Sequence, residues 1–205
     1  MKKEEIQDDL ASIRSLMERS SKFISLSGLS GVLAGVYALI GAIAAYCIMD
    51  HPSLNYNDVT VLQFIHGAPY LAMIAIAVLV ASILTSALLS YQKAKRNGQP
   101  IWGNTSKALL FHMTVPLLTG GLLILIFLYR GYFGIVAPAM LVFYGLALIG
   151  ASNFTFTDIK YLGLCEIGLG LIAAFMPGYG LAFWAIGFGI LHIVYGSVMH
   201  LKYDR

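Results

Sequence analysis

Residues 159–201 read IKYLGLCEIGLGLIAAFMPGYGLAFWAIGFGILHIVYGSVMHL. Two apolar runs, 159–177 and 180–201, meet at the turn Pro177-Gly178-Tyr179-Gly180. Each is long enough to cross a hydrocarbon core of roughly 30 Å at about 1.5 Å per residue. Neither run alternates polar with apolar residues, which argues against a membrane β-barrel. The stretch predicts two membrane-spanning helices joined by a short turn, with one acid, Glu166, and one histidine, His192, deep within them.

Working outward, comparable apolar stretches fall at 23–49, 68–90, 109–129 and 132–152. With 59% hydrophobic and 11% charged residues over 205 positions, the chain is far more apolar than a soluble domain, which carries about a quarter charged residues. Its mean hydropathy is +0.79. Disordered chains, charged-tail proteins and disulfide-stapled secreted domains are excluded. The expected class is an all-α integral membrane protein with six transmembrane helices over residues 23–201, followed by a short tail at 202–205.

Orientation follows from the 13 basic residues. Lys2, Lys3, Arg14, Arg19 and Lys22 precede the first span, Lys93, Lys95, Arg96 and Lys107 lie between the second and third, Lys160 opens the fifth, and Lys202 and Arg205 follow the sixth. Only Arg130 falls on the opposite side, so the positive-inside rule predicts that both termini are cytoplasmic. Residues 1–22 read as a cytoplasmic amphipathic helix, because Ile6, Leu10, Ile13 and Met17 share a face and acids crowd its start. The loop 50–67 holds Asp50, His51, Asp58 and His66 without helical ligand spacing, and no metal site is expected there.

Burying an ionised carboxylate at mid-membrane costs at least a few kcal/mol, which makes Glu166 a functional candidate by default. Gly163, Gly170 and Ala173 fall on its helical face, so that face should admit a neighbouring helix. Gly189 and Gly196 do the same around His192, with Tyr195 one turn on. Counted from the turn, Glu166 and His192 lie about 16 and 18 Å deep, which predicts a carboxylate–imidazole hydrogen bond across an antiparallel hairpin. His112 lies about 10 Å nearer the cytoplasm, and its expected role is local, beside the helix break at Pro116. Ser82, Thr85 and Ser86 of the second span lie at a depth from which they could face a vestibule leading to the pair.

Other motifs carry less. Gly31 and Gly35 form a GxxxG packing motif. Gly28-Leu29-Ser30-Gly31 has the GxSG form of rhomboid-type proteases, but its serine sits on the first span instead of the fourth and lacks the required context. The histidines are offset, which disfavours bis-histidine haem, and no cofactor is expected. The loop 91–107 is basic without aromatic interleaving, so no nucleic-acid partner is expected. Ala38–Ala42 and Ala147–Ala151 both read ALIGA, a match that raises an inverted repeat of two three-helix halves.

Tyr161-Leu162-Gly163-Leu164-Cys165-Glu166-Ile167, the Pro-Gly-Tyr-Gly turn and Phe183-Trp184-Ala185 through His192 resemble an uncharacterised group of small six-span bacterial membrane proteins. The resemblance implies a bacterial inner-membrane setting and nothing about substrate.

The functional expectation is a small carrier or channel-like protein that moves protons, cations or a small polar solute through the Glu166/His192 centre. The rival is a non-catalytic sensor or scaffold subunit, forming homo-oligomers through glycine faces and the N-terminal helix. A haem or metal protein or an intramembrane enzyme comes third.

Overall fold

A computed structural model describes residues 27–49, 61–96, 98 and 102–203. The expected helix at 1–22 and the residues Asp50, His51 and Asp58 lie outside the described residues, and so does the His66 side chain. The described residues are all-helical, with no strand. Helix α1 spans Gly28–Met49, α2 Val61–Arg96, α3 Asn104–Tyr129, α4 Val136–Ser152, α5 Ile159–Phe175 and α6 Gly180–Tyr203.

Among the described residues, five helical segments are long and apolar enough to cross a membrane, in α1, α2, α3, α4 with its leading turn, and α6. α5 has 17 residues, or about 26 Å of helix, the low end of what spans a bilayer. α2 starts at Val61 and α3 at Asn104, so both helices extend beyond the apolar runs 68–90 and 109–129. α6 carries a π-helical stretch, Ala185–Leu191, which hydropathy does not signal.

The turns have local causes. After α3 the N–H of Tyr132 donates to the carbonyl of Phe127 and that of Gly131 to Leu128, a Schellman closure that needs a left-handed residue. Gly131 supplies it with φ 79°, and Gly178 does the same with φ 96° between α5 and α6.

Glycines decide which helices touch. A methyl on Gly145 of α4 would sit 2.5 Å from the carbonyl oxygen of Gly163 on α5, and one on Gly170 would sit 2.9 Å from that of Pro138. On the other side, a methyl on Gly35 of α1 would lie 2.6 Å from the carbonyl oxygen of Gly189 on α6, and one on Gly196 would lie 2.5 Å from the Val32 nitrogen. Gly31 faces Gly196 across the same crossing. Backbone-to-backbone approach of this kind needs small residues on both partners.

This differs from the expected hairpin. The small-residue face of α5 packs on α4 and that of α6 on α1, while α5 and α6 meet over a narrower region. The reason lies in the other face of α6. Trp184, Phe188 and His192 project rings at four-residue intervals there, with centroids 5.3 and 5.9 Å apart, and Phe188 meets Tyr144 of α4 at 5.0 Å. Rings hold helices apart where glycines let them close.

α2 flanks α1, where Gly41 lies against Val78, and α3 flanks α4, where Gly120 lies against Phe143. The outer faces of both are covered with exposed Leu, Ile, Val and Phe, among them Ile76, Ile83, Phe111 and Leu122. Water would penalise each such side chain by about 1.5–3 kcal/mol, whereas lipid would not. An apolar surface this continuous suits a membrane-embedded protein. The two ALIGA segments have unlike neighbours: Gly41 faces α2, whereas Gly150 faces the His112 carbonyl of α3.

Candidate functional site

Three helices converge on one polar centre. α5 contributes Glu166, whose residue surface is 0% exposed. From α6 come His192 and the backbone of Gly187, and from α4 the Tyr144 side chain. Glu166 is seated against α6 because Gly187 has no side chain: a methyl there would sit 2.5 Å from Glu166 Oε2 and 2.5 Å from Leu141 Cδ2.

The imidazole is fixed at both nitrogens. Nδ1 lies 3.0 Å from the carbonyl oxygen of Gly187, and a carbonyl only accepts, so Nδ1 carries a proton and donates it. The backbone N–H of His192 goes to Gly189, at the point where the π-helical stretch gives way to α-helix. Nε2 lies 2.8 Å from the Tyr144 hydroxyl. In the neutral ring that nitrogen is the acceptor, and Tyr144 donates to it.

Glu166 Oε1 lies 3.4 Å from His192 Nδ1. Ion-pair distance is thus reached, but the expected hydrogen bond is not: the Nδ1 proton is given to Gly187, and neither carboxyl oxygen has a hydrogen-bond partner among the described residues. An unpaired buried carboxylate is costly. The centre lowers that cost when it holds one proton, either on the carboxyl with a neutral imidazole or on Nε2 with an imidazolium beside the carboxylate. Both arrangements are neutral overall, and the proton-accepting atom of the imidazole faces Tyr144, not Glu166.

The remaining sequence candidates fall elsewhere. Tyr195 packs beside a core cluster of Leu148, Phe156, Ile159, Leu162 and Met199, and its buried hydroxyl has no hydrogen-bond partner among the described residues. His112 does not join the centre: its Nδ1 donates to the Ala108 carbonyl at 2.8 Å, and its ring lies 4.6 Å from that of Phe154. Thr85 is spent on its own helix, donating to Ala81 at 2.8 Å. Ser30 Oγ likewise donates to the Ser27 carbonyl at 2.6 Å. Gly31, Gly35, Gly163, Gly170, Gly189 and Gly196 all lie in helix crossings within the chain. No three His, Cys, Asp or Glu residues cluster as a metal site among the described residues.

Sequence reasoning missed Tyr144 and Gly187. A signal for Tyr144 existed: it sits at the middle of an apolar span, far from either interface where tyrosines usually anchor, and a buried phenol needs a partner. Gly187 gave none, since its part is a carbonyl and an absent side chain.

A second polar cluster closes the far end of α6. Asp158 Oδ2 accepts from Lys202 Nζ at 2.7 Å and from the Tyr203 hydroxyl at 2.8 Å. The Lys202 hydrogen bond holds the Asp158 carboxyl below its ordinary value, against the opposing effect of partial burial. The Phe156 ring lies tilted against that of Tyr203 with centroids 4.2 Å apart, and Lys93 of α2 lies over the Phe156 ring.

Comparison with protein families, with curated proteins and with solved structures returns no match.

Proposed function

We propose that this chain is a small six-span inner-membrane protein of bacteria, with both termini cytoplasmic, that moves protons or couples a cation to them through the Glu166/His192/Tyr144 centre. The observation that carries this reading is the fully buried carboxylate with two unpartnered oxygens, held 3.4 Å from an imidazole whose accepting nitrogen is already engaged by a hydroxyl. Intramembrane acids in such settings mark ion and proton pathways. The tight seating of Glu166 and Leu141 against Gly187 favours a proton or a small ion over a bulky solute. Twelve of the 13 basic residues on one side support the orientation.

The rival reading, a sensor or scaffold subunit, assembles through glycine faces and the N-terminal helix, and that helix lies outside the described residues. Those glycines are used between α1 and α6 and between α4 and α5. The test is proton flux in proteoliposomes carrying a pH-sensitive dye. Wild-type protein should conduct, and Glu166→Gln should fold normally yet lose at least about tenfold in rate. Equal flux in both would refute the proposal.

A further inference from the structure

A buried proton site needs a way to the water, and the chain offers one along α6. Below the π-helical stretch, His192, Tyr195, Met199 and Tyr203 follow at intervals of three, four and four residues, so they share one face over about 16 Å of helix. Tyr144 from α4 caps the inner end of this row at His192 Nε2, and Asp158 caps the outer end at Tyr203. Tyr195 stands between these two ends of the row. All three tyrosines pack beside the same cluster of Leu148, Phe156, Ile159, Leu162 and Met199. The middle hydroxyl is buried and makes no hydrogen bond among the described residues, an expense that packing alone does not explain because phenylalanine would fill the same space.

We infer that Tyr203, Tyr195 and Tyr144 form a proton route from the Asp158 cluster at one end of the bundle to His192 Nε2. This rests on the proton-handling reading of the centre. A proton taken from water by the Asp158 carboxylate reverses its hydrogen bond with Tyr203: the carboxyl then donates to the phenol oxygen, and the Tyr203 O–H turns inward along the row. Each phenol gives up its own proton as it accepts the next, with water molecules bridging the gaps between hydroxyls, and the last transfer is from Tyr144 to Nε2. No other bond changes and nothing is oxidised. The imidazolium so formed lies beside the Glu166 carboxylate. The charged groups bordering the route are Asp158, Lys202, Glu166 and His192, with Lys93 of α2 over Phe156.

The route is tested by time-resolved infrared spectroscopy of protein in liposomes after a pH jump, following carboxyl and histidine bands of the centre. The equilibrium amplitude reads the centre and the rate reads the route. Tyr195→Phe removes only an unpartnered hydroxyl, so it should keep its amplitude and titration midpoint while the rate falls at least about tenfold. Tyr203→Phe, at a site with an independent hydrogen bond, should slow the response in the same way. If both variants respond within about twofold of wild type, the route is refuted while the centre stands. If wild type shows no titrating band, the centre is refuted and the route with it.

Discussion

Asp158 and Glu166 stand eight residues apart on the same segment and carry the same functional group, yet the protein treats them in opposite ways. Asp158 sits at the start of α5, its side chain 27% exposed, and one of its oxygens accepts from both Lys202 and Tyr203. Glu166 is two turns deeper, fully buried, and neither oxygen is hydrogen-bonded among the described residues. The first carboxylate is a paired charge that ties the end of α6 to the loop before α5. The second has an environment that supports it only when a proton is shared with the imidazole. Stability accounts for Asp158 and does not account for Glu166.

The contrast breaks most readily at Gly187. Gly187→Ala places a methyl against Glu166 Oε2 and Leu141, and overpacking of this kind costs about 1–3 kcal/mol, measured as a lower unfolding midpoint in detergent. Glu166→Met should act in the opposite direction, raising stability by about 1 kcal/mol or more, because it replaces an unpartnered polar group with an apolar one of similar length. A large loss of stability in Glu166→Met would make the carboxylate structural, like Asp158. Tyr144→Phe, which leaves His192 Nε2 without its hydroxyl, should cost about 1 kcal/mol in the same assay.

The smallest effect belongs to Asp158→Asn. At neutral pH it should lower the melting temperature only slightly, since pairs near the surface contribute little. Its pH dependence is the sharper readout. The folded Asp158 carboxyl titrates below the ordinary 3.8, so its stabilisation is present above that value and is lost as pH falls through the lowered one. Wild type and Asp158→Asn should therefore converge in strong acid. A stability difference that persists there would show that the Lys202 pair is not its source.

Much of this arrangement can be read from residue order. Composition and run length give the helices, and counting 1.5 Å per residue from the Pro177 turn sets Glu166 and His192 at similar depth, where the structure finds them 3.4 Å apart. What fails is the inference from shared depth to a packed hairpin and a hydrogen bond. Helix partners are chosen by matching surfaces on both sides, and the Gly163 face finds Gly145 on the preceding helix while the Gly189 face finds Gly35 on the first. The hydrogen bond fails for a related reason: the Gly187 carbonyl within a π-helical stretch takes the Nδ1 proton, and backbone geometry of that kind leaves no mark in hydropathy. Tyr144 comes from a third helix, and only its mid-span position hints at it.

The central claim is that Glu166 exchanges a proton in the folded protein. Infrared difference spectra of the protein in lipid, recorded across a pH titration for wild type and Glu166→Gln, address it most directly. The account predicts a titrating carboxyl band in wild type that is missing in the variant while helix content is the same in both. Identical spectra from the two proteins would contradict it.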